Sequence, residues 1–282
     1  NDNCLRSLGQ LYEKQGDDFL STNKEKAKIC YQKAWECYLE LYYRTGAFHN
    51  CLGKLYLDRE VQNRIKLKDL EIILEKGAFQ LFPESIKFYL RLIQYKHGID
   101  NTGLHSEEAD KLPADYKKKY FDYLKAGAEA NKDTGDYDLR IEYFLKHGEE
   151  EEKKKLFKEL FDGLYIPSSE KQFVDILEYY DGCEKDDSFM VWFIKAFSMM
   201  RFEEISEIPV NYRAYINIKS EEKRLLIDID AIWGKVGAET QDKILKMICE
   251  DIPLSVFHIK SVFKYSDNKK FKNKLFNETF KY

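Results

Sequence analysis

The sequence predicts an all-α protein built from stacked antiparallel helical hairpins, and three observations predict it. Turn formers are scarce, with 14 Gly and 5 Pro among 282 residues, about 7% against roughly 12% in ordinary chains, too few to punctuate a sandwich or a barrel. Apolar residues recur at spacings of three and four from one end to the other, as in Ala27, Tyr31, Ala34, Tyr38 and Leu41. The few Gly and Pro fall largely between these periodic runs, where short connections between helices would lie. No segment reads as a convincing strand.

Leu5, Leu8 and Tyr12 mark a first helix over 3–15, closed by Gly16, and the alanine–tyrosine run marks a second over 24–45, closed by Gly46. Helices follow over 48–59, 66–80 and 84–97. Pro83 sits where the last of these begins, a position at which its missing N–H costs nothing, and Gly98 ends it. After the irregular stretch from His97 to Pro113, helices are expected over 114–132 and 137–147, with Gly135 and Gly148 at helix ends. The run EEEEKKK from Glu149 to Lys155 opens a helix over 150–163. It puts acids near the positive end of the dipole and pairs Glu149–Lys153, Glu150–Lys154 and Glu151–Lys155 at i,i+4. Phe157, Leu160, Phe161 and Leu164 supply that helix's apolar side.

Ser168 is the expected N-cap of a helix over 169–181, ended by Gly182, and another helix follows over 187–201. A second irregular stretch, Phe202 to Lys219, precedes helices over 220–235, 239–250, 254–265 and 268–280. Ser220 caps the first of these, with Glu222 and Lys223 beyond it, and Pro253 starts the third. The total is about fourteen helices. Soft breaks near 105 and 210 divide the chain into an N-terminal region 1–104, a central region 105–210 and a C-terminal region 211–282.

Composition bounds the function. Hydrophobic residues make up 44% and aromatic residues 15%, enough for a sizeable core. The balance of 46 Lys and Arg against 50 Asp and Glu, net −4, gives no global reason to expect nucleic acid or an anionic membrane. Cys4, Cys30, Cys37, Cys51, Cys183 and Cys249 are too sparse for a disulfide framework and never spaced as CxxC. We expect reduced core thiols in an intracellular, cytoplasmic protein. The chain opens on Asn rather than Met and holds no apolar run near the roughly 20 residues of a membrane span, so a cut end without signal peptide or anchor is expected.

Internal repeats carry the most information. Leu5, Leu8, Gly9, Tyr12, Gly16 and Asp17, followed by Ala27, Tyr31 and Ala34, resemble the tetratricopeptide repeat. Small residues at Gly9 and Ala27 would let two helices approach while Leu8, Tyr12 and Tyr31 fill the gaps around them. The turn is about six residues longer than the family pattern, with Phe19 to Asn23 inserted. Gly127, Ala128, Asn131, Gly135, Asp136, Tyr137 and Phe144 resemble the middle of another such repeat, although Arg140 and His147 replace its second-helix alanines. Residues 71–98 resemble the related half-a-tetratricopeptide pattern, an apolar helix ending in Phe82–Pro83 and then an aromatic-rich helix. The resemblance implies a right-handed superhelical α-solenoid whose concave surface binds a peptide or partner protein. The family's carboxylate clamp is not expected, because Arg6 and Gln10 on the first helix are followed by Glu36 and Glu40 on the next face.

Chemistry is sparse. There is no phosphate-cradling glycine loop, no HExxH, no GxSxG and no EF-hand spacing. Of the histidines, His49, His97, His105, His147 and His258, two precede helix-ending glycines and read as helix C-terminal caps. His49 with Cys51 lacks the paired spacing of a zinc site. Cys30 and Cys37 share one helical face, and Asp228 and Asp230 point to different faces of a helical run. From Phe257 onward seven Lys face only Asp267 and Glu278, a local +5 against −9 for the remainder, interleaved with Phe263, Tyr265, Phe271, Phe276 and Phe280. Phe271, Leu275 and Phe280 fall on one helical face, which reads as a capping helix sealing the end of the stack. We therefore expect no catalytic, cofactor-binding or metal-binding residues, and not an enzyme but an interaction scaffold or sensor for an unidentified protein or peptide, without membrane contact. The alternatives are an RNA-associated scaffold using the Lys-rich end, and an enzyme with an unrecognised helical active site.

Overall fold

The computed structural model describes residues 2–59, 61, 65–131, 137–180, 186–200, 208–219, 224–252 and 256–279. The chain is predominantly helical and divides into two compact units, residues 1–148 and 149–282. Among the described residues no helix is long and apolar enough to cross a membrane. Pro253, Ser220, Glu222, Lys223, Gly135, Asp136, Gly182, Cys183 and Phe280, which the sequence singled out, lie outside the described residues.

The first unit contains α1 (Asp2–Leu20), α2 (Lys24–Thr45), α3 (His49–Asp58), α4 (Leu67–Phe79), α5 (Pro83–Lys96), α6 (Ala114–Ala130) and α7 (Asp138–Arg140), which runs into a π-helical stretch, Ile141–Leu145. A 3₁₀ segment, Ser106–Lys111, precedes α6. The apolar stripe of α2 lies inward, with Ala27, Tyr31, Ala34, Trp35, Tyr38 and Leu41 all buried. At roughly 1.5–3 kcal/mol for each fully buried large side chain, that stripe alone holds α2 in place. Asn23 caps it through a 3.0 Å bond from the Lys26 N–H, and Gly46 closes it in the left-handed conformation at φ 68°. Pro83 occupies the first turn of α5, as its fixed φ favours.

Four expectations about this unit are corrected. Gly16 does not close α1 but lies inside it, because a Cβ there would sit 2.4 Å from the Tyr31 ring: the glycine permits a close helix crossing. Phe19 to Asn23 is accordingly not a long insertion in a turn, since Phe19 and Leu20 extend α1 and only three residues connect it to α2. Leu8 is exposed on the outer side of α1, whereas Gly9 beside it packs against Tyr38. Gly148 ends its helix without a left-handed residue, its N–H donating to the Phe144 carbonyl at 3.0 Å.

Charged pairs follow the order of the helices. Along the odd-numbered ones, Lys54 on α3 meets Glu13 on α1 at 2.5 Å, Arg59 at the end of α3 meets Asp17 on α1 at 2.9 Å, Arg91 on α5 meets Asp58 on α3, and Lys87 on α5 meets Asp138 on α7 at 2.8 Å. The even-numbered α4 and α6 are joined by Tyr116 donating to Glu71 and by Lys119 with Glu75 at 2.8 Å.

The second unit contains α8 (Glu150–Asp162), α9 (Glu170–Tyr180), α10 (Asp187–Met199), a 3₁₀ segment (Val210–Tyr215), β1 (Ile216–Lys219), β2 (Arg224–Ile227), α11 (Ile229–Trp233), α12 (Ala238–Glu250), α13 (Val256–Tyr265) and α14 (Lys269–Thr279). Its core is aromatic: Phe161 packs on Trp192 at 4.8 Å, Tyr180 stacks on Phe189 at 4.7 Å, and Phe173 stacks on Phe193 at 5.9 Å. The buried polar ends find partners, Trp192 Nε1 donating to the Tyr165 carbonyl at 2.7 Å and the Tyr212 hydroxyl to the Leu177 carbonyl at 3.2 Å.

Sequence expectations are corrected here as well. Among the described residues of the helix expected over 220–235, 224–227 form β2 instead, antiparallel to β1 with Ile216 paired to Ile227 and Ile218 to Leu225, and only the short α11 is helical. The β-branched alternation Ile216, Asn217, Ile218 favours a strand over a helix. Asp228 is consequently an N-cap, accepting from the Ala231 N–H at 3.2 Å, and only Asp230 lies on the helix. Ser169 rather than Ser168 caps α9, accepting from the Gln172 N–H at 3.2 Å, and Ser168 binds the Gln172 side chain instead. The acidic run pairs Glu150 with Lys153 and Glu151 with Lys154 at i,i+3, because Glu149 is used as the N-cap of a reciprocal capping box with Glu152.

Candidate functional site

An open groove of about 850 Å³ lies on the even-numbered side of the first unit. The C-terminal end of α2 supplies Tyr42, Tyr43 and Gly46, α3 supplies His49 at its first turn, α4 supplies Ile72, Glu75, Lys76 and Phe79, with Gln80 just beyond, and α6 supplies Tyr123. These apolar side chains lie off the buried stripes. On α4 the residues facing inward are Leu70, Ile73, Leu74, Gly77 and Ala78, whereas Ile72 and Phe79, seven apart, share the outer side. Phe79 is 79% exposed and Tyr43 71%, a large amount of ring surface to leave in water, worth roughly 25 cal/mol per Å² when covered.

Two residues next in sequence to the lining have strained backbones. Phe48, immediately before His49, has φ 69°, and Leu81, immediately after Gln80, has φ 59°. A left-handed backbone costs a bulky residue roughly 1–2 kcal/mol, and such residues concentrate where function requires the geometry. The Leu81 turn, held by Leu81 N–H donating to the Ala78 carbonyl at 2.9 Å, keeps Phe79, Leu81 and Phe82 all exposed.

The groove's electrostatics suit hydrogen bonding. His49 is buried on the floor, edge-on to Tyr42 at 5.4 Å and against Gly77. Burial, aided by the Lys76 charge, lowers its pKa and keeps the ring neutral. Burial raises the Tyr123 pKa, with Glu75 adding to the effect, so its phenol remains a donor. Glu75 is committed to Lys119, while Lys76 is exposed and has no ion-pair partner among the described residues.

Residues singled out from the sequence occupy other places. Arg6, Gln10, Glu36 and Glu40 are exposed, and Glu40 pairs with Arg44 at 2.7 Å. His97 is the C-cap of α5 and His147 follows the π-helical stretch. The structure brings His147 Nε2 within 2.8 Å of Ser106 Oγ, but Ser106 is buried and its N–H donates to Glu142 at 2.6 Å. This contact anchors the 3₁₀ segment to the π-helical stretch. Cys37 and Cys249 are buried, Cys30 and Cys51 half-buried, and Cys4 exposed, so Cys4 is not a core thiol. Among the described residues no group of three or more His, Cys, Asp or Glu is arranged to hold a metal ion.

Sequence reading missed Tyr43, Ile72, Phe79 and Tyr123. The legible signal was the apolar pair Ile72 and Phe79 on the polar side of α4, which core packing does not require. The chain matches no protein-family model, no curated protein and no solved structure, so the reading of this groove rests on its own geometry.

Proposed function

We propose that the chain is a protein-interaction scaffold of the tetratricopeptide-like kind, and that its groove between α2, α4 and α6 takes an apolar segment of a partner protein. The observation that carries this is the exposure of Tyr43, Ile72 and Phe79 around one open groove, with left-handed Phe48 and Leu81 next in sequence to its lining. Ion pairs running from α1 through α3 and α5 to α7 support a stack in which first helices form one layer and second helices the other. The groove and its exposed rings lie between α2, α4 and α6, which is why the partner is assigned to the second-helix side rather than to the concave face that the family resemblance implies. Free thiols at the five described cysteines fit a reducing compartment such as the cytoplasm.

Selection of short peptides from a display library against the whole chain tests this reading. Selected peptides should compete with one another. Phe79→Asp and Ile72→Asp should each weaken them by about 30-fold or more, the scale of an interface hot spot, with helix content and melting temperature unchanged. Recovery of no peptide, or of peptides indifferent to both substitutions, refutes it.

A further inference from the structure

The second unit carries a surface of a different kind. On α14, Lys269, Lys272, Asn273 and Phe276 recur at i, i+3, i+4 and i+7 and so form one stripe, while Leu275, three residues after Lys272, is fully buried along the flank of that stripe. Lys272 reaches across to α13, its ammonium 5.9 Å from the centre of the Phe263 ring. Phe263 and Phe276 are 42% and 55% exposed. Lys260, Lys264 and Lys270 add exposed ammonium groups alongside. Lys264 is shared with Asp230 at 3.0 Å, whereas Lys269, Lys270 and Lys272 have no carboxylate partner among the described residues.

We infer that this α13–α14 surface binds single-stranded nucleic acid, a function separate from the peptide groove. Clustered ammonium groups match a polyphosphate backbone, and exposed rings set among them offer stacking faces that accept any unpaired base. A duplex hides those base faces. A bilayer would need a continuous apolar stripe, but the apolar side of α14 is turned inward at Leu275 and the two exposed rings belong to different helices. An acidic protein would satisfy the lysines and leave the rings unused.

Fluorescence anisotropy of a labelled oligouridylate about 15 nucleotides long, titrated with the whole chain, tests the inference. Binding at about 20 mM KCl should weaken as salt rises, with a log–log slope near −2 if Lys269, Lys270 and Lys272 neutralise three phosphates. The charge reversal K269E/K270E/K272E should cost at least about tenfold and flatten that slope. Phe263→Ala should cost about tenfold while leaving the slope unchanged, because it removes stacking and no charge. Phe79→Asp in the groove should leave oligonucleotide binding as it was. Absence of binding at low salt, or indifference to the triple reversal, overturns the inference. So does indifference to Phe263→Ala, or equal affinity for polyglutamate or phosphatidylserine vesicles, since either result reduces the surface to a general cationic patch.

Discussion

Gly77→Ala tests whether the floor of the groove is built as described. A Cβ on residue 77 would lie 2.7 Å from His49 Cγ, 2.8 Å from its Cβ and 3.0 Å from Nδ1. Cβ is fixed by the backbone, so no rotamer change of the ring can clear the 2.8 Å contact; α3 and α4 must separate. Overpacking of this kind costs about 1–3 kcal/mol, and alanine in a helix interior returns about 1 kcal/mol relative to glycine. Because the clash is at the root, the upper part of the range applies, leaving a net loss of about 1–2 kcal/mol. His49→Gly in the same chain removes the clashing atoms, Cβ included, so Gly77→Ala added to it should be neutral or stabilising, a coupling of about 1–3 kcal/mol between neighbours. The assay is urea unfolding with amide exchange read separately on peptides of α3 and α4, since a chain of two units need not unfold in one step. If Gly77→Ala stabilises the wild-type background by as much as it does the His49→Gly background, His49 does not pack on α4 and the floor is wrongly assigned.

Two further perturbations bear on the first unit. The pKa values of His49 and His147 are both lowered from the ordinary 6.5, chiefly by burial. In both, the unfolded chain binds the proton more readily, so stability is complete above pH 6.5 and falls as pH drops below it. His49→Gln and His147→Gln together should flatten that acid limb in melting-temperature measurements between pH 7.5 and 5, and an unchanged slope would count against buried, neutral rings. Glu142 accepts from the Ser106 N–H and pairs at 3.0 Å with Lys146, whose side chain is 4% exposed. Glu142→Ala should cost about 2–3 kcal/mol, less than the 3–5 kcal/mol of a fully broken buried pair, because Lys146 keeps Glu107 at 2.8 Å. A loss below about 0.5 kcal/mol in urea unfolding would show that the 3₁₀ segment does not depend on this anchor.

What the sequence revealed and what it concealed follow from the range of the interactions. The bounds of α2 are readable because every determinant is local: a stripe at spacings of three and four, and a glycine that must turn left-handed at 46. The hairpin at Ile216–Ile227 was hidden because four-residue alternation is too short to outweigh a helical reading of the residues that follow. Gly16 shows a subtler failure. It reads as a helix end, yet it lies within α1, as Gly77 lies within α4, and each lets a ring from a neighbouring helix approach within what a Cβ would forbid. Their scarcity and their position therefore have one cause: this chain uses glycine where helices touch as well as where they stop. The groove follows from the same device, because the close seating of His49 on Gly77 sets the floor, and the rim is then formed by whatever side chains the three helices turn outward. No run of sequence encodes that convergence, and only the unforced apolar pair Ile72 and Phe79 pointed toward it.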